Sequence, residues 1–495
     1  MKLRHYLGIS AGFHDAAAAV VDSAGRILFA AHSERYSGIK GDPNISEGLR
    51  QELAQYPIDT IAYYERPWLK QLRRLYSGEG VEWDRLTAKQ VLGQQLGTMT
   101  KNCEIQTHGH HLCHAAAGFQ TSPFDRATVV VIDAIGEWDT ITIWGAEYRE
   151  GRARYRRLWS QHYPHSIGLF YSAVTARLGL NPMHEEYITM GMAAYGNPGL
   201  GDMIKHWLVQ DEYEIRLRHN LHVGMDNERF NYVNTETLAL GAQELAENLI
   251  YHVMWRARRF DWSANLVYGG GVALNCLANR NLGHYFDRIW ILPCPGDSGS
   301  SIGSAALAHG GHLDWRDPYL GHAIPGAYPT NQILDHLLSD HIVGVASGSA
   351  EFGPRALGNR SLLADPRGAE MRDRVNEIKR RQKFRPFAPA ILAEHVDDYF
   401  DMPHRWTHSP YMQVTAQCRR PDLYPAIVHR NGTSRVQTVS RDSGTGLREL
   451  LEKWYLLTGC PMLLNTSLNV RGEPMVNDRE DADRFENLYG VKVCS

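Results

Sequence analysis

Leu7-Gly8-Ile9-Ser10-Ala11-Gly12-Phe13-His14-Asp15 leads into the apolar run 16–21, the turn Asp22-Ser23-Ala24-Gly25, and Ile27-Leu28-Phe29-Ala30. Apolar runs joined by polar, Gly-containing turns read as a strand followed by a hairpin. The same pattern returns near residue 130. Ala127-Thr128-Val129-Val130-Val131-Ile132-Asp133 is a β-branched run closed by a carboxylate, and Gly136 then turns the chain into Glu137-Trp138-Asp139-Thr140-Ile141-Thr142-Ile143-Trp144. A hairpin opening that recurs predicts an α/β protein built from two similar halves. An acid at the C-terminal end of a buried strand, here Asp133, lies where α/β sheets bind ligands.

Such hairpin openings are the pattern of actin-like ATPases, whose first hairpin turn faces nucleotide phosphates. By that pattern His14 and Asp15 face a site, not the core. Between the two hairpins lies His108-Gly109-His110-His111-Leu112-Cys113-His114-Ala115-Ala116-Ala117. In a helix, positions four apart share a face, so His110 and His114 can grip one metal ion. Taken alone, such a pair equally describes a helix whose histidines only bond locally. Two strand–glycine–helix units follow, Asn265 to Tyr268 into Gly269-Gly270-Gly271-Val272-Ala273-Leu274-Asn275, and Arg288 to Leu292 into the glycine-rich 293–303. Glycines let backbone approach a ligand and the helix behind them favours phosphate, so the pair predicts a nucleotide cleft. Asp297, in the second loop, completes a metal set with His110, His114 and Asp133. Two imidazoles plus carboxylates suit iron(II), manganese or zinc, and the sequence does not choose among them. His184-Glu185 imitates a zinc-protease motif, but that motif needs histidine at 188 and the residue there is Ile.

The 495 residues suit two or three domains, and 43% hydrophobic with 22% charged residues is an ordinary globular composition. The first residues lack a signal-peptide pattern, no apolar run is long enough to span a membrane, and seven scattered cysteines form no disulfide framework, so a cytoplasmic protein is expected. A net charge of -3 argues against holding nucleic acid mainly by electrostatics. The basic residues are 42 Arg to 10 Lys, which suits anionic ligands as well as a GC-rich genome. Two Arg/aromatic stretches, 149–157 and 254–262, fit stacking on a base and gripping a phosphate, or equally a hairpin and an amphipathic helix.

Around 309–335 a Gly- and Pro-rich texture marks a boundary, giving domains 1–322 and 323–495. Beyond it Glu351 to Ser361, Asn376 to Pro389, His429 to Gln437 and Leu464 to Pro474 set Arg or Lys beside Gly, Pro, Ser and Asn, the residues of a rigid oxyanion cradle. The second half is expected to bind more than one phosphate.

With Phe13-His14-Asp15-Ala16-Ala17, 110–115, the 269–275 loop, 353–361 and 465–474 in view, the sequence resembles the O-carbamoyltransferase family of nodulation and antibiotic-tailoring carbamoyltransferases, over nearly its whole length. The resemblance implies an actin-like (ASKHA) domain similar to the tRNA threonylcarbamoyl transferase, followed by a YrdC-like α/β domain. The YrdC-like part makes carbamoyl-adenylate from carbamoyl phosphate and Mg-bound ATP. Lys379, Arg381, Ser467 and Asn469 match its Lys-x-Arg and Ser-x-Asn signature, and Arg355 and Arg360 are further phosphate candidates. The actin-like part then transfers the carbamoyl group to an acceptor hydroxyl. There the four-ligand ion, iron(II) before manganese or zinc, anchors the adenylate, and Gly269, Gly270, Gly271 and Asn275 hold its adenosine. His14 is the candidate general base, oriented by Asp15. Acceptors in the family are hydroxyls on sugars, natural products and 5-hydroxymethylpyrimidines such as 5-hydroxymethylcytosine, free or in DNA. No membrane partner is expected; a homodimer is compatible.

Two positions depart from the family pattern. Ile188 stands where relatives carry Lys, removing any charge contact made there, and relatives extend further after Pro474. The competing readings are an actin-like ATPase or sugar kinase, which needs no histidine helix and no second phosphate-binding domain, and a nucleotide-binding regulator in which the catalytic set is vestigial.

Overall fold

The computed structural model describes every residue except Met1, Lys2, Asn227 and Phe384, which lie outside the described residues. The chain forms two compact units, Met1–Ile27 with Leu53–Trp315, and Leu28–Glu52 with Arg316–Ser495.

The first unit is α/β. Its first sheet centres on β1 (His5–Ser10), antiparallel to β2 (Ala17–Asp22) and parallel to β3 (Thr60–Tyr63), with β4 (Glu104–Thr107) parallel beyond β3. Helix α1 (Pro67–Tyr76) follows β3 and α2 (His110–Thr121) follows β4. The second sheet repeats the plan. β5 (Arg126–Gly136) pairs antiparallel with β6 (Asp139–Arg149), and β6 with β7 (Arg152–His162). On its other side β5 is parallel to β8 (Asn265–Gly269), and β8 to β9 (Arg288–Trp290). Each central strand thus has a hairpin partner on one side and parallel strands on the other, the duplication expected from the two hairpin openings. Parallel strands need covering on both faces, and β3 and β5 accordingly read as near-continuous buried runs. The Arg-rich stretch 149–157 is a hairpin: Glu150 and Gly151 both have positive φ (52° and 72°), as a tight two-residue turn requires.

Helices α3 (Thr235–Arg259) and α4 (Ser300–His309) complete the layers. α4 packs on β1 and on α2, and α2 packs on β5 and β8. The α2–α4 approach is very close, for a Cβ on Gly303 would lie 1.9 Å from the Cys113 carbonyl oxygen.

The second unit carries a six-stranded mixed sheet in the spatial order Gln437–Val439, Ala388–Leu392, Met462–Ser467, Arg360–Ala364, Ile342–Ala346, Val493–Cys494. Inner neighbours are antiparallel and both edge strands are parallel to theirs. Its core is built from Val343, Leu362, Leu363, Ile391, Leu463 and the fully buried Trp454. The stretch 309–335 is less loop-rich than its composition suggests. It holds the strand Tyr319–Ile324, stabilised by pairing with Gly348–Glu351 far along the chain, and the start of helix Thr330–Ser339.

Candidate metal centre

Four side chains from distant stretches meet in the first unit. His110 begins α2 and His114 follows one turn later, Asp133 lies in the C-terminal part of β5, and Asp297 opens the turn into α4. All four are buried, and their ligand atoms lie within 4.8 Å of one another. His110 Nε2 is 3.2 Å from both Asp133 Oδ2 and Asp297 Oδ1, and His114 Nε2 is 3.3 Å from Asp297 Oδ1.

The two Nε2 atoms are 3.0 Å apart. Their outer nitrogens determine what that contact means. His110 Nδ1 faces Glu65 Oε1 at 3.3 Å, and His114 Nδ1 faces the Pro295 carbonyl at 3.1 Å and Ser300 Oγ at 3.2 Å. Acceptors on the outside call for Nδ1–H, which leaves both Nε2 lone pairs aimed inward beside two carboxylates. Electron-rich atoms so close repel unless protons or a cation share the space. The set therefore fits a divalent ion, and its nitrogen and oxygen donors suit iron(II), manganese or zinc. The electrostatics agree. Burial opposes charging His110, yet Asp297, Asp133 and Glu65 outweigh it and hold the imidazole well above its ordinary range. Burial likewise works against the carboxylates, and the two histidines still hold Asp133 and Asp297 below the usual range.

His14 and Asp15 adjoin this cluster. His14 Nδ1 is 3.3 Å from Asp15 Oδ2, and its Nε2 is 3.7 Å from Asp297 Oδ2. Burial lowers its pKa, but the bond to Asp15 and then the charge of Asp297 raise it to about 9. Left-handed backbone at Gly12 (φ 94°) and Asp15 (φ 50°) forms the loop that aims it.

The Gly269–271 loop braces the metal carboxylate. Gly271 N–H donates to Asp133 Oδ1 at 3.1 Å and Gly270 N–H donates to the Pro295 carbonyl at 2.9 Å. Gly270 has φ 86°, and a Cβ there would lie 2.2 Å from the Ile132 carbonyl oxygen, so only glycine fits. Asn275 caps the short helix Cys276–Asn279 and exchanges amide hydrogen bonds with Gln243 at 3.0 and 3.1 Å.

In the second unit Lys379 is buried, and its Nζ faces the carbonyl and side-chain oxygens of both Ser467 and Asn469. Burial, with Arg381 and Arg385 nearby, holds its amine well below the ordinary range. Arg381 bonds Asn376 Oδ1 at 2.6 Å and lies over the Phe387 ring, and Arg355 is half-buried. Arg360 corrects the expectation of a phosphate ligand. It is fully buried, and its guanidinium donates to the carbonyls of Asn477, Ser347, Gly348, Asn359 and His322 at 2.9–3.1 Å. Its donors are spent inside the fold.

Two residues beside the centre had gone unmarked in the sequence, Glu65 and Lys70, whose Nζ lies 2.9 Å from Glu65 Oε2. The signal existed, since Glu65 closes the apolar run 60–64 as Asp133 closes 127–132.

Among known proteins, the Carbamoyltransferase N-terminus family matches residues 85–306 and the Carbamoyltransferase C-terminus family matches residues 334–493. An uncharacterized protein of Synechocystis sp. is 33% identical, covering 97% of this chain and 94% of its own. Nodulation protein NolNO of Sinorhizobium fredii is 30% identical over 95% of this chain and 76% of its own. The 3'-hydroxymethylcephem-O-carbamoyltransferase of Amycolatopsis lactamdurans is 28% identical over 97% of this chain and 95% of its own.

Proposed function

Since this chain belongs to the carbamoyltransferase family, we propose that the transferase is an ATP-dependent O-carbamoyltransferase working through carbamoyl-adenylate. Carbamoyl phosphate, water and ATP give carbamoyl-adenylate, pyrophosphate and phosphate. An acceptor hydroxyl then attacks the carbamoyl carbonyl and AMP leaves. The observation that carries the reading is the buried four-ligand centre, with both Nδ1 atoms committed outward and a histidine–aspartate pair at its edge.

Region 323–495 is the adenylate-forming part. Arg381, Ser467 and Asn469, with Arg355, are its candidates for gripping carbamoyl phosphate and Mg-bound ATP. Lys379, whose buried ammonium is already engaged by Ser467 and Asn469, would hold that pair in place. Arg360 is left out because its donors are spent. In the transfer step His14 Nε2 takes the hydroxyl proton while Asp15 on Nδ1 fixes the tautomer and holds the resulting positive charge. His110, His114, Asp133 and Asp297 would hold the ion, which when bound offsets charge on the adenylate phosphate as AMP departs. With an ion bound, the charges of Asp297 and Asp133 that help raise His14 to about 9 would be offset, leaving the bond to Asp15 as the main influence on its proton. The 269–271 backbone is the candidate cradle for adenosine. Enclosure suits this chemistry, because a carbamoyl-adenylate exposed to water hydrolyses. The acceptor is a hydroxyl on a small molecule, a sugar or a 5-hydroxymethylpyrimidine.

The test is incubation with carbamoyl phosphate, ATP, magnesium and iron(II) or manganese, with a panel of hydroxylated acceptors followed by mass spectrometry. AMP and pyrophosphate with a carbamoylated acceptor support the reading. ADP with a phosphorylated acceptor replaces it by the kinase reading.

A further inference from the structure

Glu65 and Lys70 take no part in the chemistry above, yet both are ordered against it. Glu65 lies just past β3, its side chain 5% exposed, with one carboxylate oxygen on His110 Nδ1 at 3.3 Å and the other on Lys70 Nζ at 2.9 Å. Its neighbour Arg66 is committed elsewhere, its Nη2 2.6 Å from Glu137 Oε2, so the charge on Glu65 is met by Lys70. Lys70, on α1 and only 17% exposed at its side chain, also stands 5.1 Å from the centroid of the Phe13 ring. That ring touches the His14 ring, with centroids 4.7 Å apart. One ammonium thus joins the carboxylate behind a metal-ligating histidine to the loop that carries the proposed base.

We propose that Glu65 and Lys70 are positioning residues, Glu65 fixing the tautomer and direction of His110 and Lys70 tying that support to the Phe13–His14 loop. This rests on the four-ligand centre proposed above. A carboxylate on the outer nitrogen keeps the inner lone pair free and makes it a stronger donor. The ammonium holds the carboxylate in place and draws the aromatic loop toward it by cation–π attraction. Lys70 therefore acts on the ion only through Glu65.

Manganese binding by the full-length protein tests this, read from the free-ion signal in electron paramagnetic resonance, with circular dichroism as a check on folding. Glu65→Leu is expected to weaken Mn(II) binding by roughly 10–100-fold, the usual effect of losing such a partner. Glu65→Gln restores most of it, because the amide oxygen still accepts from Nδ1–H. Lys70→Met weakens binding several-fold in the wild-type background and has no effect in the Glu65→Gln background, where no charge remains to hold. Wild-type affinity in folded Glu65→Leu overturns the proposal, and so does a Lys70→Met effect of equal size in both backgrounds. If Glu65→Leu does not fold, the Gln and Met pair decides alone. A wild-type protein that does not bind Mn(II) overturns the centre itself, a separate failure.

Discussion

Replacing Arg360 with methionine distinguishes a phosphate ligand from an internal fastening. The guanidinium makes six hydrogen bonds to five carbonyls, two of them to Asn477. Methionine fills the space of the stem and donates nothing. Hydrogen bonds to a charged group contribute about 1.5–3 kcal/mol each, and a buried acceptor left unpaired costs about 1–3 kcal/mol. These terms do not add, and relieving the buried charge, which burial already pushes down to about 10, returns part of the loss. A net cost of about 4 kcal/mol is the expectation, at the upper end for single substitutions. For a unit of roughly 200 residues that is a fall in Tm of about 8–16 °C. Calorimetry of the whole chain follows the second unit's transition, with ATP binding measured in parallel at low temperature where the variant is folded. Binding is expected to survive. A variant that melts with the wild type but no longer binds ATP would show that Arg360 faces a ligand, and the fastening account would be wrong.

Asp297→Ala is expected to lower Mn(II) affinity by more than about 100-fold while the fold persists, and calorimetric titration against wild type decides it. Gly303→Ala puts a Cβ 1.9 Å from the Cys113 carbonyl oxygen, so α2 and α4 must part. A loss of about 1–3 kcal/mol, with weaker ion binding as Asp297 shifts from His110, should appear together in melting and titration; unchanged values in both contradict the packing argument. Burial, with Arg435 and Arg385 nearby, lowers His429 to about 4. Above about pH 6.5 the group is neutral folded and unfolded, and costs nothing. Between pH 6.5 and 4 only the unfolded chain takes the proton, so stability falls as pH falls, by up to about 3 kcal/mol. His429→Gln should flatten that slope in urea unfolding at pH 7 and 5, and equal slopes would refute it.

What was legible in the chain was local. The helical spacing of His110 and His114 and the two hairpin openings are short-range patterns that the fold keeps. The strand expected to close at Asp133 runs on to Gly136 past an irregularity after Ile132. Asp297 was legible because it opens a glycine-rich loop after a strand. Glu65 carried the same strand-end signal as Asp133, but its role was not legible because it depends on β3 lying parallel to β1 and on a helix 45 residues further along. Arg360 misled for the opposite reason. An arginine beside Asn359 and Ser361 looks like an oxyanion cradle, and only burial reveals that carbonyls from 322, 347, 348 and 477 had already claimed it. Asn275 shows the same effect, its amide taken by a helix cap and by Gln243.

Helices α2 and α4 both begin at the centre, at His110 and at Ser300. Each start carries roughly half a positive charge from its unpaired N–H groups. The two carboxylates balance a doubly charged ion and no more, so a trivalent ion would meet a surplus of positive field from two directions. Were an iron held there, the two helix starts would oppose its passage to the trivalent state, a cost set by where two helices begin.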